Sequence, residues 1–522
     1  MLTFEITDDR KYIKLLDFSL NVERNHLFSF FKKKSKKANF NVLVDRGIWD
    51  GNDHFITKEG LIAIGLWKEL YSFGEKYGYE IQIDGIDEIL GNYPTKEEYQ
   101  QYVNTLLASV LDERGLPIVP RDYQSEGAYR ALKYKFCTEE LATSAGKTLI
   151  FYIYNSYLRD TGIISSTKKS LLIVPNVSLV AQTAEKFELY SANAKKWKVQ
   201  IVGGDNKFKQ KDFDECELFV STYQSLQNMP KEFFLNFHVV NVDETHKSRG
   251  NTIKEIIESC TNWTHKLGLS GTVKIDEKYS DFYKMQENVG PLVMVLSAKH
   301  LIDNQYSPNI KIKMVYLQYD ENNEYLQKYW RLKEDGIQMY KNAKDYGRDM
   351  LSIEKKFIFE SQERLDFISK LVKKLGKNTL VLFSDVKNGY GKAIQESIFE
   401  WNPRTYYIDG GVESEVRDEY KDDMEKEDDV VIVASFGTFS TGIDLKNVHH
   451  IVFAESTKAE ITIRQSIGRG MRKLAEKNKV IIWDLVDDLK GYSVKHSKER
   501  EKIYVDQEFE VVKNTIDLTK SS

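Results

Sequence analysis

The sequence predicts an α/β protein built from two parallel-sheet halves in tandem, preceded by a small α+β accessory domain. Three observations predict it. Short apolar runs alternate with longer amphipathic segments from Arg121 to Leu269; the alternation stops near residue 275 and returns at Asn378; and residues 1 to about 105 have another texture, alternating around glycine-rich turns. Strands buried on both faces read as near-continuous apolar runs, whereas half-exposed strands alternate. The boundaries that follow are 1–105 for the accessory domain, 106–300 and 301–495 for the two halves, and 496–522 for a C-terminal tail.

In chain order, FNVLVDRGIWDGNDHFITKEGLIAIG predicts paired strands around turns, with Trp49 as a core residue at one of them, a wedge at a DNA junction being the alternative. LWKELYSFGEKYG predicts a helix ending at glycine. The segment before Leu141 reads as polar and helix-like, and TLIFYIYNSYL as a helix. SLLIVP, KVQIVG, ELFVST, HVVNVDE and KLGLSG predict the strands of the first half; NTLVLFS, RTYYIDG, DVVIVAS, HHIVFAE and KVIIWDL predict those of the second. Between them, Glu321 to Leu375 reads as a helical connector with packing aromatics, and the acidic run Asp422–Asp429 as a solvated loop.

With 522 residues, 41% hydrophobic and 30% charged, the chain can bury several cores. No apolar run approaches the ~20 residues of a membrane helix, and MLTFEITDDRKYIK lacks the order of a signal peptide, so no membrane association and a cytoplasmic location are expected. Cys137, Cys216 and Cys260 have no CxxC spacing and read as small core hydrophobes. A net charge of -4 excludes a uniformly basic surface, so a polyanion would have to meet a local patch.

LATSAGKTLI, Leu141 to Ile150, ends in the Gly-Lys-Thr of phosphate-binding loops. Such a loop needs backbone N–H groups at a helix N-terminus, a lysine for the outer phosphates and a hydroxyl for magnesium. Ala145 and Gly146 allow the tight backbone, Lys147 is the point charge and Thr148 the hydroxyl, although Leu141 stands where the spacing rule asks for glycine. VVNVDETHK predicts a strand ending in Asp243 and Glu244, an aspartate for magnesium and a glutamate to deprotonate the attacking water. An acidic helix cap is the alternative, and the placement of loop and carboxylates after different strands of one unit argues against it. Arg121-Asp-Tyr123-Gln124 opens a helix, and a glutamine amide matches the adenine edge, unless it is an ordinary surface amide.

Arg-x-Tyr-Gln, Thr143-Ser144-Ala145-Gly146-Lys147-Thr148, Asp-Glu-x-His, Leu269-Ser270-Gly271-Thr272 and Gln465-x-x-Gly468-Arg469-x-x-Arg472, in that order, resemble the motifs of superfamily 2 DExH helicases over roughly residues 110 to 490. In that superfamily the loop usually lacks the early glycine. More narrowly, the loop, FSTGIDLKNVHHIV, IIWDLVDD and GIWDG resemble the recombination helicases of T-even bacteriophages; Thr245 and the KKKSKK insert depart from the pattern.

The resemblance implies two RecA-like domains, ATP and Mg2+. It assigns catalysis to Lys147, Asp243, Glu244, His246, Gln465, Arg469 and Arg472, nucleotide binding to Arg121, Gln124, residues 143–148, Gly442 and Asp444, magnesium to Thr148 and Asp243, and coupling to Ser270 and Thr272. A guanidinium on the γ-phosphate contributes ~10³ to 10⁵ in rate. A translocase must hold phosphates, not base edges, and short polar loops after strands suit this: Asn176, Ser178, Gly204, Thr222, Ser384 and Thr441, each otherwise a helix cap or turn residue. Lys32, Lys33, Lys34, Lys36 and Lys37 form the sharpest positive run, either solvated or in contact with DNA. The implied partners are double-stranded and branched DNA and RNA–DNA hybrid, met by a monomer in the bacterial host cytoplasm, with branch migration, fork regression and R-loop unwinding as the activity. Competing readings are an RNA helicase, a restriction-complex ATPase, against which no nuclease-like cluster is visible, and an annealing factor with ATP as a latch.

Overall fold

Residues 1–520 are described by a computed structural model, except 18–20, 37, 39–40, 113–114, 194, 205, 249, 274–278, 335–342, 443–444, 446, 456–462, 464–465 and 468–478, and with backbone only for 343–345, 414 and 440–442. The chain divides into two units, Met1–Leu296 and Ser297–Ser522. No helix among the described residues is long and apolar enough to cross a membrane.

Unit one opens with β1 (Leu2–Ile6), β2 (Tyr12–Asp17), β3 (Lys32–Lys34), β4 (Asn52–His54), β5 (Leu61–Ala63) and β6 (Ile81–Asp84). They form a mixed sheet of order β5-β2-β1-β6 and a separate β3-β4 ladder. The helix after β5, Trp67–Tyr77, stops where Gly78 takes a left-handed φ of 73°, as the sequence predicts. Other expectations need correction. FNVLV is not a strand: Val42–Asp45 is a helical turn, because the Asn41 side chain accepts the Leu43 N–H and caps it. Trp49 is half-buried and donates its indole N–H to the Asn52 carbonyl at 2.8 Å, while Ile48 beside it is 69% exposed, so this turn stands clear of the core.

The core of the accessory part is continuous with that of the following domain. Leu2, Phe4, Ile13, Leu70 and Phe73 pack in one cluster with Phe136, Phe282, Tyr283 and Met285 of the following domain. Polar contacts strengthen the joint: Tyr283 and Gln286 donate to Glu69 at 3.1 and 3.0 Å, and Lys284 pairs with Asp53 at 2.7 Å.

The large sheet of unit one comprises β7 (Phe136–Leu141), β8 (Lys169–Val174), β9 (Val199–Val202), β10 (Leu218–Thr222), β11 (Phe237–Asp243), β12 (His265–Ser270) and β13 (Leu292–Leu296). It is parallel throughout, with the order β13-β7-β12-β11-β8-β10-β9. The apolar runs coincide with β8 to β12. The polar helix before the loop ends at Tyr134, and FCTEEL, next to Leu141, is β7, whose Thr138, Glu139 and Glu140 are buried despite their polarity. The three cysteines are buried, as expected for small core side chains.

Unit two carries a second parallel sheet: β14 (Asn309–Gln318), β15 (Thr379–Phe383), β16 (Thr405–Ile408), β17 (Val431–Ser435), β18 (His450–Phe453), β19 (Lys479–Asp487) and β20 (Glu510–Asp517), in the order β16-β17-β15-β18-β19-β14-β20. Its five apolar runs are β15 to β19. β14 falls in a region read as strandless, and the segment read as a tail supplies β20, paired with β14 from Lys311↔Glu510 to Gln318↔Asp517. β14 alternates in polarity and β20 is a largely polar edge strand, so the search for apolar runs passes over both. The connector belongs to this unit, since helix Gln362–Leu375 buries Ile368, Leu371 and Val372 under the sheet. The first half of the acidic run closes helix Ser414–Lys426, anchored by buried Met424, and Glu427–Asp429 form the expected loop before β17.

IIWDLVDD has a structural explanation. Asp484 and Asp487 are three apart on β19 and therefore leave opposite faces of the strand. Each is fully buried against an arginine. Arg364 reaches Asp487 with two N–H groups at 2.6 and 3.2 Å and donates to the Ala454 carbonyl at 2.8 Å; Arg500 reaches Asp484 at 2.9 and 2.7 Å, joined by the Tyr504 hydroxyl at 2.9 Å. Removing one partner strands a buried charge. Arg364→Leu should cost about 3–5 kcal/mol in urea unfolding, with most of it recovered in Arg364→Leu/Asp487→Leu.

Candidate active site

Strand order brings the sequence-predicted residues of unit one together. β12 lies between β7 and β11, so the loop after β7, the Leu269–Thr272 segment after β12 and the Asp243–Glu244 pair at the end of β11 share one edge of the sheet, outside the carboxyl ends of its strands. The registers Asp243↔Leu269 and Ser270↔Glu140 set their heights. Ligands of open α/β sheets bind at such an edge.

Lys147 begins helix Lys147–Asp160 and reaches Glu244 Oε1 at 2.5 Å and Asp243 Oδ1 at 3.3 Å. Glu244 sits in the left-handed region, φ 53° and ψ 54°, which turns its carboxylate back toward the loop. Its other oxygen accepts from Ser270 Oγ at 3.2 Å and lies 3.3 Å from His246 Nδ1, which is 2.8 Å from Ser270 Oγ and 3.3 Å from Thr272 Oγ1. Thus Lys147, Asp243, Glu244, His246, Ser270 and Thr272 form one continuous polar cluster. Thr148 is half-buried in the first helical turn.

The charges act on one another through little water. Burial alone would lower the Lys147 pKa, but Asp243 and Glu244 outweigh it and raise it, so the ammonium is permanent. The carboxyls move in opposite directions. Burial raises Asp243, which Lys147 compensates only in part at the longer distance; Glu244, penalised likewise by burial, is held well below the usual carboxylate range by Lys147 and His246.

Residues upstream brace the loop from below. Arg121 caps helix Asp122–Tyr134, and Gln124 Oε1 accepts the Arg121 N–H at 2.9 Å while its Nε2 donates to the Ala145 carbonyl at 2.8 Å. Tyr123 donates to the same carbonyl at 3.0 Å, and the Arg121 guanidinium donates to the Tyr123 hydroxyl at 2.7 Å and to the Ser144 carbonyl at 3.4 Å. In this structure Gln124 therefore positions the loop. Tyr123 was missed as a functional residue, although its place beside Gln124 was a usable signal. Ser144 and Gly146 both have positive φ, 70° and 76°, and a Cβ at 146 would lie 2.4 Å from Gln124 Nε2. Thr143 faces the β12 loop, its hydroxyl 3.3 Å from where a Gly271 Cβ would stand.

The candidate nucleic-acid residues of unit one gather at the carboxyl ends of β8, β10 and β9. Asn176 caps helix Val177–Tyr190 through the Leu179 N–H at 3.0 Å and accepts from Ser178 at 2.8 Å, and Gly204 closes against Val177. Ser178 and Gly204 are exposed, but Thr222 is 2% exposed and its hydroxyl is spent capping Ser225. In the lysine run, Lys32 pairs with Asp50 at 2.7 Å, and Lys33 is half-buried between the rings of Phe30 and Tyr283 at 4.5 and 4.4 Å, so burial lowers its pKa. Lys36 lies over Tyr279, and Lys34 is exposed on the ladder. Two of these lysines are thus part of the fold; Lys37 lies outside the described residues.

In unit two, Ser384 is exposed, and its N–H and that of Asp385 donate to the buried Glu455 carboxylate at 2.7 and 2.8 Å. Thr441 and Gly442 belong to helix Phe436–Gly442 directly after β17, where the sequence had suggested a loop for Thr441. Asp444, Gln465, Arg469 and Arg472 lie outside the described residues.

Two tandem parallel sheets, one carrying a phosphate-loop lysine against an acidic pair, define a class. Residues 117–275 match the model of the type III restriction enzyme res subunit, and residues 363–473 that of the helicase conserved C-terminal domain. The chain is a homologue of the superfamily 2 helicases and a nucleic-acid-dependent ATPase that uses ATP. Within that class it is similar to the ATP-dependent DNA helicase UvsW of Enterobacteria phage T4, 29% identical over 516 residues that span 95% of this chain and 96% of that one. The crystal structure of T4 UvsW aligns over 99% of each chain at 27% identity with a TM-score of 0.49. The fold is also that of S. cerevisiae Dbp5 bound to RNA and ADP BeF3, with a TM-score of 0.52 at 16% identity over 83% of this chain and 95% of that one.

Two predictions follow from the loop and the strand beneath it. Gly146→Ala should weaken nucleotide binding at least about tenfold in a fluorescent-ATP titration, because both φ and the Gln124 contact exclude a side chain. Glu139, on β7, is fully buried with no hydrogen-bond partner for either oxygen among the described residues, and burial, which Arg130 opposes only in part, pushes its carboxyl up to about 8. The folded state then holds this proton more tightly than the unfolded chain, so stability falls as pH rises from about 4.5 to about 8. Glu139→Gln should flatten that slope and gain on the order of 3 kcal/mol at pH 8, read by urea unfolding at pH 5 and pH 8.

Proposed function

We propose that this enzyme is an ATP-dependent DNA translocase that remodels duplex and branched DNA, by branch migration, fork regression and unwinding of RNA–DNA loops, in phage recombination, repair and replication. The observation that carries the chemistry is the contact of Lys147 with both Asp243 and Glu244. Similarity to UvsW over nearly the whole of both chains supports the choice of DNA over RNA.

In the proposed reaction Lys147 binds the outer phosphates, Glu244 takes the proton of the attacking water, and His246, Ser270 and Thr272 report the state of the site to the strand-end loops. Arg121 and Gln124 hold residues 143–146 in shape and lie toward the base. The hydroxyl of Thr148 and the carboxylate of Asp243 are hard oxygen donors of the kind Mg2+ takes, and the ion would neutralise the charge that develops on the phosphates. Gln465, Arg469 and Arg472 complete the γ-phosphate environment in this reading, Gly442 and Asp444 join the nucleotide contacts, and Asn176, Ser178, Gly204, Ser384 and Thr441 meet the DNA backbone. Residues 1–105 serve as the DNA-contacting part through Lys34 and Lys36 above all, with 106–300 and 301–495 as the two motor domains.

ATP hydrolysis by Lys147→Ala, Glu244→Gln and Arg469→Ala should fall at least about 100-fold with DNA present; parental turnover in any of them withdraws that residue's role. On labelled forks, four-way junctions, RNA–DNA loops and RNA duplexes, remodelling with ATP is expected for the first three. Remodelling of RNA duplexes alone would make this an RNA helicase, and equal remodelling with a non-hydrolysable analogue would favour a latch.

A further inference from the structure

Among the polar side chains of unit one with no solvent exposure are Asn155, Ser170 and Asn241. Together they form a closed ring. Ser170 Oγ donates to Asn155 Oδ1 at 2.7 Å; Asn241 Nδ2 lies 3.1 Å from Asn155 Oδ1, 2.9 Å from Ser170 Oγ and 3.2 Å from the Leu171 carbonyl; Asn155 Nδ2 donates to the Phe151 carbonyl at 2.7 Å and to Asn241 Oδ1 at 3.4 Å. Burying three such groups is costly unless every one is bonded, and here they are. An apolar trio would fill the same place more simply, so the ring calls for a reason.

Its position supplies one. Asn241 stands two residues before Asp243 on β11, so both side chains leave the same face of the strand. Asn155 stands two i+4 steps after Lys147, on the same stripe of helix Lys147–Asp160. Helix and strand are therefore joined twice along one line: at the edge by Lys147 and Asp243, 3.3 Å apart, and beneath it by Asn155 and Asn241. Apolar packing holds two elements together but is non-directional, whereas a hydrogen-bonded ring tolerates one register along the helix axis and one rotation about it. The third member, Ser170, belongs to β8, the strand beside β11, and prevents the pair from sliding as a unit.

We propose that Asn155, Ser170 and Asn241 are positioning residues for ATP hydrolysis, which fix the height of the helix that starts at Lys147 against the strand that ends at Asp243 and Glu244. This rests on the role of Lys147 and Glu244 proposed above. The ring touches no substrate. It sets the distance between the group that holds the phosphates and the group that activates water, so its loss should spare nucleotide binding and slow turnover.

The test replaces the whole ring by apolar groups of similar size, Asn155→Leu/Ser170→Ala/Asn241→Leu, in the full chain, so that no buried polar partner is left unpaired. Expected are a Tm within a few degrees of the parent or above it, a KM for ATP within threefold, and a kcat with saturating DNA reduced at least tenfold. A kcat within twofold of the parent overturns the proposal. So does a kcat that falls only in step with a lowered Tm and a raised KM, which marks the ring as structural alone. Should the triple variant fail to fold, Ser170→Ala keeps both amides and removes the bridge: about a threefold loss of kcat at unchanged KM and Tm is expected, and parental kcat overturns the proposal. Lys147→Ala and Glu244→Gln measured alongside separate the two readings, since activity in them defeats the assigned site, whereas their inactivity beside a fully active ring variant defeats this inference only.

Discussion

The contact on which unit one depends is that of the Lys147 ammonium with the carboxylates of Asp243 and Glu244, at 3.3 and 2.5 Å. Three charges in a place with little water are tolerable only in mutual contact, so they constrain every element that carries them. The helix must begin at the end of β7, β11 must end level with it, and β12 must lie between the two strands to bring Ser270 within reach of Glu244. A parallel sheet satisfies all three demands, since it delivers every strand's carboxyl end to one edge. In the proposed reaction a triphosphate offers Lys147 another set of anionic oxygens, which frees Glu244 to act on water.

Unit two solves a related problem for another purpose. Its buried charges, Arg364 with Asp487 and Arg500 with Asp484, hold layers together, and Arg364 also donates to the Ala454 carbonyl just beyond β18. They fix helices on opposite faces of β19, and the tyrosines around them, Tyr319 and Tyr504, complete the hydrogen bonding of each aspartate. An acidic motif that looks functional in a string of letters thus serves to bind layers together. Glu455 is intermediate: a buried carboxylate that orders the backbone at Ser384 and Asp385 while pairing with Lys355 at 2.8 Å.

Legibility in the sequence followed burial. Strands covered on both faces, such as β8, β11, β15 and β17, announce themselves by continuous Val, Ile, Leu and Phe. β14 alternates in polarity, as NIKIKMVYLQ shows, β20 is mostly polar, and β7 carries buried acids, so none of the three matched that pattern. The catalytic candidates of unit one were legible because phosphate chemistry admits few residue types at few spacings. Asn155, Ser170 and Asn241 were not, because an isolated polar residue in a sequence gives no sign of the partner that makes its burial possible.

By itself, the sequence determined the class of fold, the order of the motifs and the identity of the groups able to handle a nucleotide, since periodicity and side-chain chemistry are local properties. Only the tertiary structure decided that the N-terminal domain shares its core with the sheet that follows, that Lys32 and Lys33 are bound into the fold while Lys34 is exposed, and that the last strand completes the second sheet. These are matters of which surfaces meet. Most depend on contacts between residues far apart in the chain, such as Lys33 with Tyr283 and β14 with β20, and no short window contains both sides of such a contact.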